Sequence, residues 1–173
     1  MAHGYVSIMD DVLPDILDRG LDVVFCGTAV GPKSAERRSY YAGPGNEFWQ
    51  VLADVGLTPH RLRPSQFKDV KAFGIGLTDL AKKEAALDHN LTSTSWNIEA
   101  FQRNIETYQP RAVAFNGKRA ASEYLQREVD YGPQPEIIGK SVVFVLPSTS
   151  GAARKFWEPK YWYQLAHYVR NTR

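Results

Sequence analysis

The stretch from Asp22 to Trp49, DVVFCGTAVGPKSAERRSYYAGPGNEFW, constrains the fold more than any other part of the chain. It begins with the apolar run Val23-Val24-Phe25-Cys26, closed by Gly27. A short run that is apolar at every position is the pattern of a strand buried on both faces, as in a parallel sheet. Gly27-Thr28-Ala29-Val30-Gly31-Pro32 then reads as a loop. A basic segment with Arg37 and Arg38 follows, then the pair Tyr40-Tyr41 and the turn Gly43-Pro44-Gly45. Asn46 opens a helix, with Glu47 in its first turn, where a negative charge suits the helix dipole. A strand that ends in a glycine loop and hands over to a helix is the usual place for a ligand site in an α/β protein.

The same unit recurs along the chain. Asp11–Arg19 reads as a short helix, with Leu13, Ile16 and Leu17 on one side and Gly20 as its stop. The helix from Asn46 to Val55 carries Phe48, Val51, Leu52 and Val55 at helical spacing, and Pro64–Lys71 suits a small helix. Phe73–Leu80 is a second strand, with glycines that hint at close backbone approach. Lys82–Thr94 is polar and irregular. Asn97–Tyr108 is a helix ended by Pro110. Arg111–Gly117 is the third strand, Lys118–Val129 a helix, Tyr131–Gln134 a turn, Ser141–Leu146 the fourth strand and Tyr161–Asn171 the closing helix. This alternation predicts one α/β domain over residues 1–173, with a mostly parallel four-stranded sheet covered by helices on both faces. The loops after Gly27, Leu77, Asn116 and Leu146 then meet at the carboxyl edge of the sheet. Thr28, Ala29, Thr78, Asp79, Ser148 and Ser150 should converge there.

Composition narrows the function. The 173 residues are 43% hydrophobic and 23% charged, ordinary for a soluble globular domain. No apolar run approaches the ~20 residues of a membrane span, and the N-terminus lacks the basic region of a secretory leader, so a cytoplasmic location is expected. Cys26 is the single cysteine, which excludes an intrachain disulfide or an iron–sulfur cluster and suits a small core residue. The four histidines have no metal-ligand spacing, and neither metal nor cofactor is expected. The net charge is only +2, but Arg154, Lys155, Lys160, Arg170 and Arg173 face one acid, Glu158, in the last segment. A local basic surface suits a polyanion, although a solvated helix face looks the same.

The chain has no P-loop lysine motif, no GxGxxG fingerprint and no GxSxG elbow. It does have a loop of small residues, Ser148 to Ala153, followed by Arg154 and Lys155. Small residues and hydroxyls allow close backbone approach, and adjacent cations suit phosphate oxygens. Ser148, Ser150, Gly151, Ala152, Arg154 and Lys155 are therefore the candidate nucleic-acid contacts.

Three motifs then occur in order: VVFCG-x-x-x-G (Val23 to Gly31), the run Tyr41, Ala42, Pro44, Asn46, Phe48 and Trp49, and VLP-x-x-SG-x-x-R (Val145 to Arg154). Together with Gly76–Leu80 and Tyr108–Ala112, they resemble the mismatch-specific uracil-DNA glycosylase and thymine-DNA glycosylase family, from about Asp11 to Val169. The resemblance implies an α/β/α sandwich and a monofunctional DNA glycosylase, a monomer that flips a base out of the duplex and hydrolyses its N-glycosidic bond. It also implies that the Thr28–Ala29 turn supplies backbone donors to the leaving base and that Tyr41 stacks on it; a partly buried core tyrosine is the plain alternative.

Two positions depart from the family pattern. The first motif typically reads Gly-Ile-Asn-Pro-Gly, and its asparagine positions the attacking water; here Ala29 stands in that place. Asp79, on the same sheet edge, is the candidate replacement, against the ordinary reading of a helix cap before Leu80-Ala81-Lys82-Lys83; Asp88 is the weaker substitute. The last motif typically reads Asn-Pro-Ser-Gly-Leu-Ser-Arg, and its leucine wedge is Ala152 here. A methyl group fills little of the gap left by a flipped base, so a weak opposite-base preference and activity on single strands are expected. The other readings are a family member that binds damaged DNA without cleaving it, a glycosylase for hypoxanthine or xanthine, and an unrelated α/β hydrolytic enzyme, for which no nucleophile–base pair is visible.

Overall fold

A computed structural model describes residues 12–85 and 96–172. Strands β1 (Val23–Val30), β2 (Ile75–Ala85), β3 (Ala112–Asn116), β4 (Gly132–Ile138) and β5 (Ser141–Leu146) form one sheet in the order β2-β1-β3-β5-β4. Four of them run parallel; β4 alone is antiparallel, paired with β5 at one edge. The α-helices are α1 (Pro32–Arg37), α2 (Phe48–Asp54), α3 (Ile98–Tyr108), α4 (Lys118–Leu125) and α5 (Lys160–Asn171), with 3-10 segments at Pro64–Phe73 and Gly151–Phe156.

Strand alternation splits the core into two layers. Val23 and Phe25 of β1, Ile75 and Leu77 of β2, and Phe144 and Leu146 of β5 face α2 and α5, which contribute Phe48, Leu52, Trp162 and Leu165. Val24 and Cys26, Val113 and Phe115, and Val143 and Val145 face α3 and α4, through Phe101, Ile105, Ala120 and Ala121. Each large side chain buried this way contributes about 1.5–3 kcal/mol relative to exposure. Trp162 anchors the first layer. It is fully buried, stacks on Phe25 at 5.5 Å and 17°, and its indole N–H donates to the Pro147 carbonyl at 3.0 Å. That bond holds the start of the loop after β5.

The sheet has five strands where four were expected. Gly132-Pro133-Gln134-Pro135 has turn chemistry, yet it is the first part of β4. Prolines are tolerated on an edge strand because the missing N–H need not join a ladder, and the register shifts between Pro133 and Ile137. Nor is there a helix in the described part of Asp11–Arg19. Leu13 and Ile16 are buried, but Ile16 bridges antiparallel to Leu77, with both backbone bonds at 2.9 Å, and the Val12 N–H donates to the Lys82 carbonyl. This segment covers the outer edge of β2, where open backbone groups would invite pairing with another chain. β1 continues through Val30, so Thr28 and Ala29 lie in a strand and not in a turn, and α1 follows directly. Helix α2 starts at Phe48, two residues late; the Asn46 side chain instead accepts the Phe48 N–H at 3.0 Å. Lys82 to Ala85 belong to β2, while 86–95, including Asp88, lie outside the described residues.

Candidate active site

The carboxyl ends of β1, β2, β3 and β5 meet at one edge of the sheet. Gly27 pairs with Asp79 in the β1–β2 register. A Cβ on Gly27 would lie 2.7 Å from Asp79 Oδ1 and 3.5 Å from the Tyr41 hydroxyl oxygen. The Asp79 carboxylate therefore lies across Gly27, on the α2 side of the sheet, and only a residue without a side chain leaves room for it. Asp79 is 5% exposed. It sits in the middle of an eleven-residue strand, so the helix-cap reading does not hold.

Tyr41 forms the next wall. Its φ is +53°, a left-handed conformation that is uncommon for a bulky residue and costs on the order of 1 kcal/mol or more. The neighbouring backbone is pinned on both sides. The Trp49 indole N–H donates to the Tyr40 carbonyl at 3.0 Å, and the Tyr40 hydroxyl donates to the Pro14 carbonyl at 3.0 Å. The Ala42 N–H donates to Ser34 Oγ at 2.9 Å, and Arg37 donates to the Ala42 carbonyl at 2.8 Å. Arg37, read from the sequence as part of a basic surface, is thus bonded to the backbone of this loop. The Tyr41 ring stacks on Phe48 at 3.9 Å and 23°. Burial, and then the charge of Asp79, raises the Tyr41 pKa, so the hydroxyl remains protonated at neutral pH.

Asn116, at the end of β3, lies near the Tyr41 hydroxyl and favours its ionised form, against the larger effects of burial and Asp79. Its amide nitrogen donates to Thr149 Oγ1 at 3.0 Å, and its amide oxygen accepts the Thr149 N–H at 3.1 Å. The Thr149 carbonyl in turn accepts the Glu47 N–H at 3.0 Å. This pair ties β3, the loop after β5 and the entrance to α2 into one wall. Neither Asn116 nor Thr149 was singled out from the sequence. The available signal was an asparagine at a strand end, followed by Gly117 with φ +109°.

The expected site residues thus divide. Asp79 and Tyr41 come together. Thr28 is buried, but alternation places its side chain with Val24 and Cys26 on the opposite face from Gly27. Ala29 is back on the Gly27 face and pairs with Ala81. Cys26 is buried, and burial pushes its thiol pKa up, which suits an inert core residue.

The loop after β5 packs against the Gly43–Gly45 turn; a Cβ on Gly151 would meet the Gly45 carbonyl oxygen at 3.3 Å. Ser148 Oγ accepts the Ser150 N–H at 3.2 Å, and Ser150 Oγ accepts the Ala152 N–H at 3.3 Å, which starts the 3-10 turn Gly151–Phe156. Ala152, Arg154 and Lys155 are exposed on this turn. Arg154 reaches the Gly45 carbonyl at 3.3 Å and Glu47 at 4.0 Å. A deep carboxylate beside a hydroxyl and an amide, next to an exposed cationic turn, suits a polyanion with one neutral group inserted.

Residues 14–167 match the family model described as the uracil DNA glycosylase superfamily. Among solved structures, the solution NMR structure of a candidate uracil DNA glycosylase from Methanosarcina acetivorans matches with a TM-score of 0.68 at 24% identity, over 92% of this chain and 97% of that one. At that identity the likeness concerns the fold.

Proposed function

This chain belongs to the uracil DNA glycosylase superfamily and is a DNA glycosylase, and we propose that uracil is its substrate and Asp79 its reactive carboxylate. The observation that carries this reading is the Asp79 carboxylate held across Gly27 beside the Tyr41 hydroxyl, at the edge where the strand ends converge. Uracil turned out of the stack enters from this edge. The Tyr41 ring, backed by the buried Phe48, supplies the aromatic surface, and Asn116, held by Thr149, fixes the wall beside it. As the glycosidic bond breaks, the sugar gains positive charge and the base leaves as an anion. Asp79 stabilises the sugar or orients the attacking water, and backbone N–H groups around Thr28 and Ala29 receive charge on the base. Asp79 thereby replaces the asparagine that Ala29 lacks.

The finer likeness, to the mismatch-specific and thymine-DNA glycosylase branch, bears on the partner strand. Ala152 is exposed on a short turn and presents one methyl group to the helix. The enzyme therefore discriminates weakly between U·G and U·A and also acts on single strands, working as a monomer. The test is excision from oligonucleotides carrying uracil, thymine, hypoxanthine or xanthine, with Asp79→Asn as control. Uracil excision lost in the variant supports the reading. Near wild-type rates in Asp79→Ala would remove Asp79 from the chemistry, and preference for hypoxanthine or xanthine would replace the substrate.

A further inference from the structure

A cavity of about 310 Å³ lies between α2 and the stretch from the loop after β5 into α5, with Thr149 in its lining. Its volume is at the lower end of ordinary ligand sites. Thr149 links the cavity to the candidate active site: its hydroxyl accepts from Asn116, and its residue lines the cavity. The walls are aromatic, with Trp157 on one side and Tyr163, 49% exposed, on the other. Trp157 is held by packing on Trp162 at 6.1 Å and 37°. The polar lining includes the hydroxyls of Ser148 and Ser150 and the amide of Gln50, which donates to Asp54 at 2.7 Å. Arg154 lies at the end nearest the sheet edge, and the carboxylates of Glu47 and Asp54 line the side given by α2.

We propose that this cavity is a second nucleobase site, which takes an unpaired base flanking the flipped nucleotide on the same strand. The inference rests on the glycosylase reading and extends its substrate to a dinucleotide unit. Two aromatic side chains with an arginine at the mouth form the stacking platform used for single-stranded nucleic acid. Two carboxylates exclude a phosphate from the interior and accept hydrogen bonds from amino or imino groups, so the occupant is a base with an exocyclic amino group: guanine, adenine or cytosine. The shared Thr149 makes the neighbour on the lesion strand the nearest candidate. The small Ala152 leaves the flanking stack without a wedge, and capture of the neighbouring base provides an alternative way to hold the strand open.

The test uses single-stranded oligonucleotides with one uracil whose 5′ or 3′ neighbour is guanine, thymine or an abasic tetrahydrofuran. Single-turnover excision is measured against enzyme concentration, and binding is followed in parallel by fluorescence anisotropy. In the wild type, loss of the neighbouring base on one side raises the half-saturating concentration about fivefold or more, with the maximal rate little changed. Thymine lies closer to the abasic neighbour than guanine does. Tyr163→Ala, at an exposed position, weakens the guanine-flanked substrate by a similar factor and loses its sensitivity to the neighbour. Asp54→Asn keeps the stacking but narrows the guanine–thymine difference. A wild type that is indifferent to both neighbours overturns the site, as does a Tyr163→Ala variant as sensitive as the wild type. If uracil is not excised at all, the substrate reading fails separately, and the anisotropy arm still decides whether the neighbouring base is bound.

Discussion

Thr78 and Asp79 are adjacent in β2, and the two faces of the sheet treat them in opposite ways. On the α3 side, Thr78 joins a closed polar cluster. Its hydroxyl donates to Asp15 at 2.8 Å, Lys82 pairs with both, and Asn104 of α3 reaches the other oxygen of Asp15 at 3.5 Å. Charge there is matched by charge, and the cluster fastens the segment before β1 to the edge strand. On the α2 side, Asp79 meets a bare glycine and a tyrosine hydroxyl, with an asparagine amide beyond. Asp15 is partly and Asp79 almost wholly shielded from water, and only Asp79 lies on the face, and at the level, where β3 and β5 end. The lysine-paired carboxylate fastens two segments of the fold; Asp79, across a bare glycine and beside a tyrosine hydroxyl, is the one proposed to act on the substrate.

The contrast can be broken by substitution. The largest effect is expected from Asp79→Asn, which should lower the single-turnover excision rate by about 100-fold or more while oligonucleotide binding stays close to wild type. Lys82→Met should do the reverse. It leaves Asp15 partly buried without its cation and costs about 2 kcal/mol in a denaturant titration, since both groups keep some solvent contact, with excision by the surviving folded enzyme nearly unchanged. Equal losses of rate in both variants would erase the distinction between the faces.

Gly27→Ala probes the contact between the strands directly. The added methyl would sit 2.7 Å from the Asp79 oxygen, so the carboxylate must move, and a rate loss of about tenfold is expected without a comparable fall in stability. The smallest effect is on pH dependence. Burial raises the pKa values of Tyr40, Tyr41 and Cys26, so the folded state keeps protons that the unfolded chain gives up above about pH 9–10. The unfolded state then binds fewer protons, and stability falls as pH rises. The denaturation midpoint should be insensitive to these groups at neutral pH and decline above about pH 9, less steeply in Tyr41→Phe.

Much of the framework was legible because it is written in local patterns. Ser141–Leu146 reads as a buried strand and is one, with the same ends. Asn97–Tyr108 reads as a helix and is one from Ile98, with Asn97 as its cap, its side chain accepting the Ala100 N–H at 3.2 Å. Local and tertiary preferences disagree elsewhere. Leu13 and Ile16 have helical spacing, but an open strand edge claims the backbone of Val12 and Ile16. Pro133 and Pro135 signal a turn, but an edge position admits them into a strand. Tyr41 was found as an aromatic near the site; its left-handed backbone follows from bonds to Ser34, Arg37 and Trp49 that no short window contains.

The sequence by itself determined the four parallel strands, most of the helices between them and the edge at which their loops gather, because apolar periodicity and glycine placement act over a few residues. Only the tertiary structure decided which side of that edge each residue serves. Strand alternation sends Thr28 one way and Gly27 the other, and the register of β1 against β2 sets Asp79 across from Gly27. Asn116 and Thr149 become a wall only when β3 and the loop after β5 lie side by side. Side-chain facing depends on pairing between distant segments, and pairing is a property of the packed sheet.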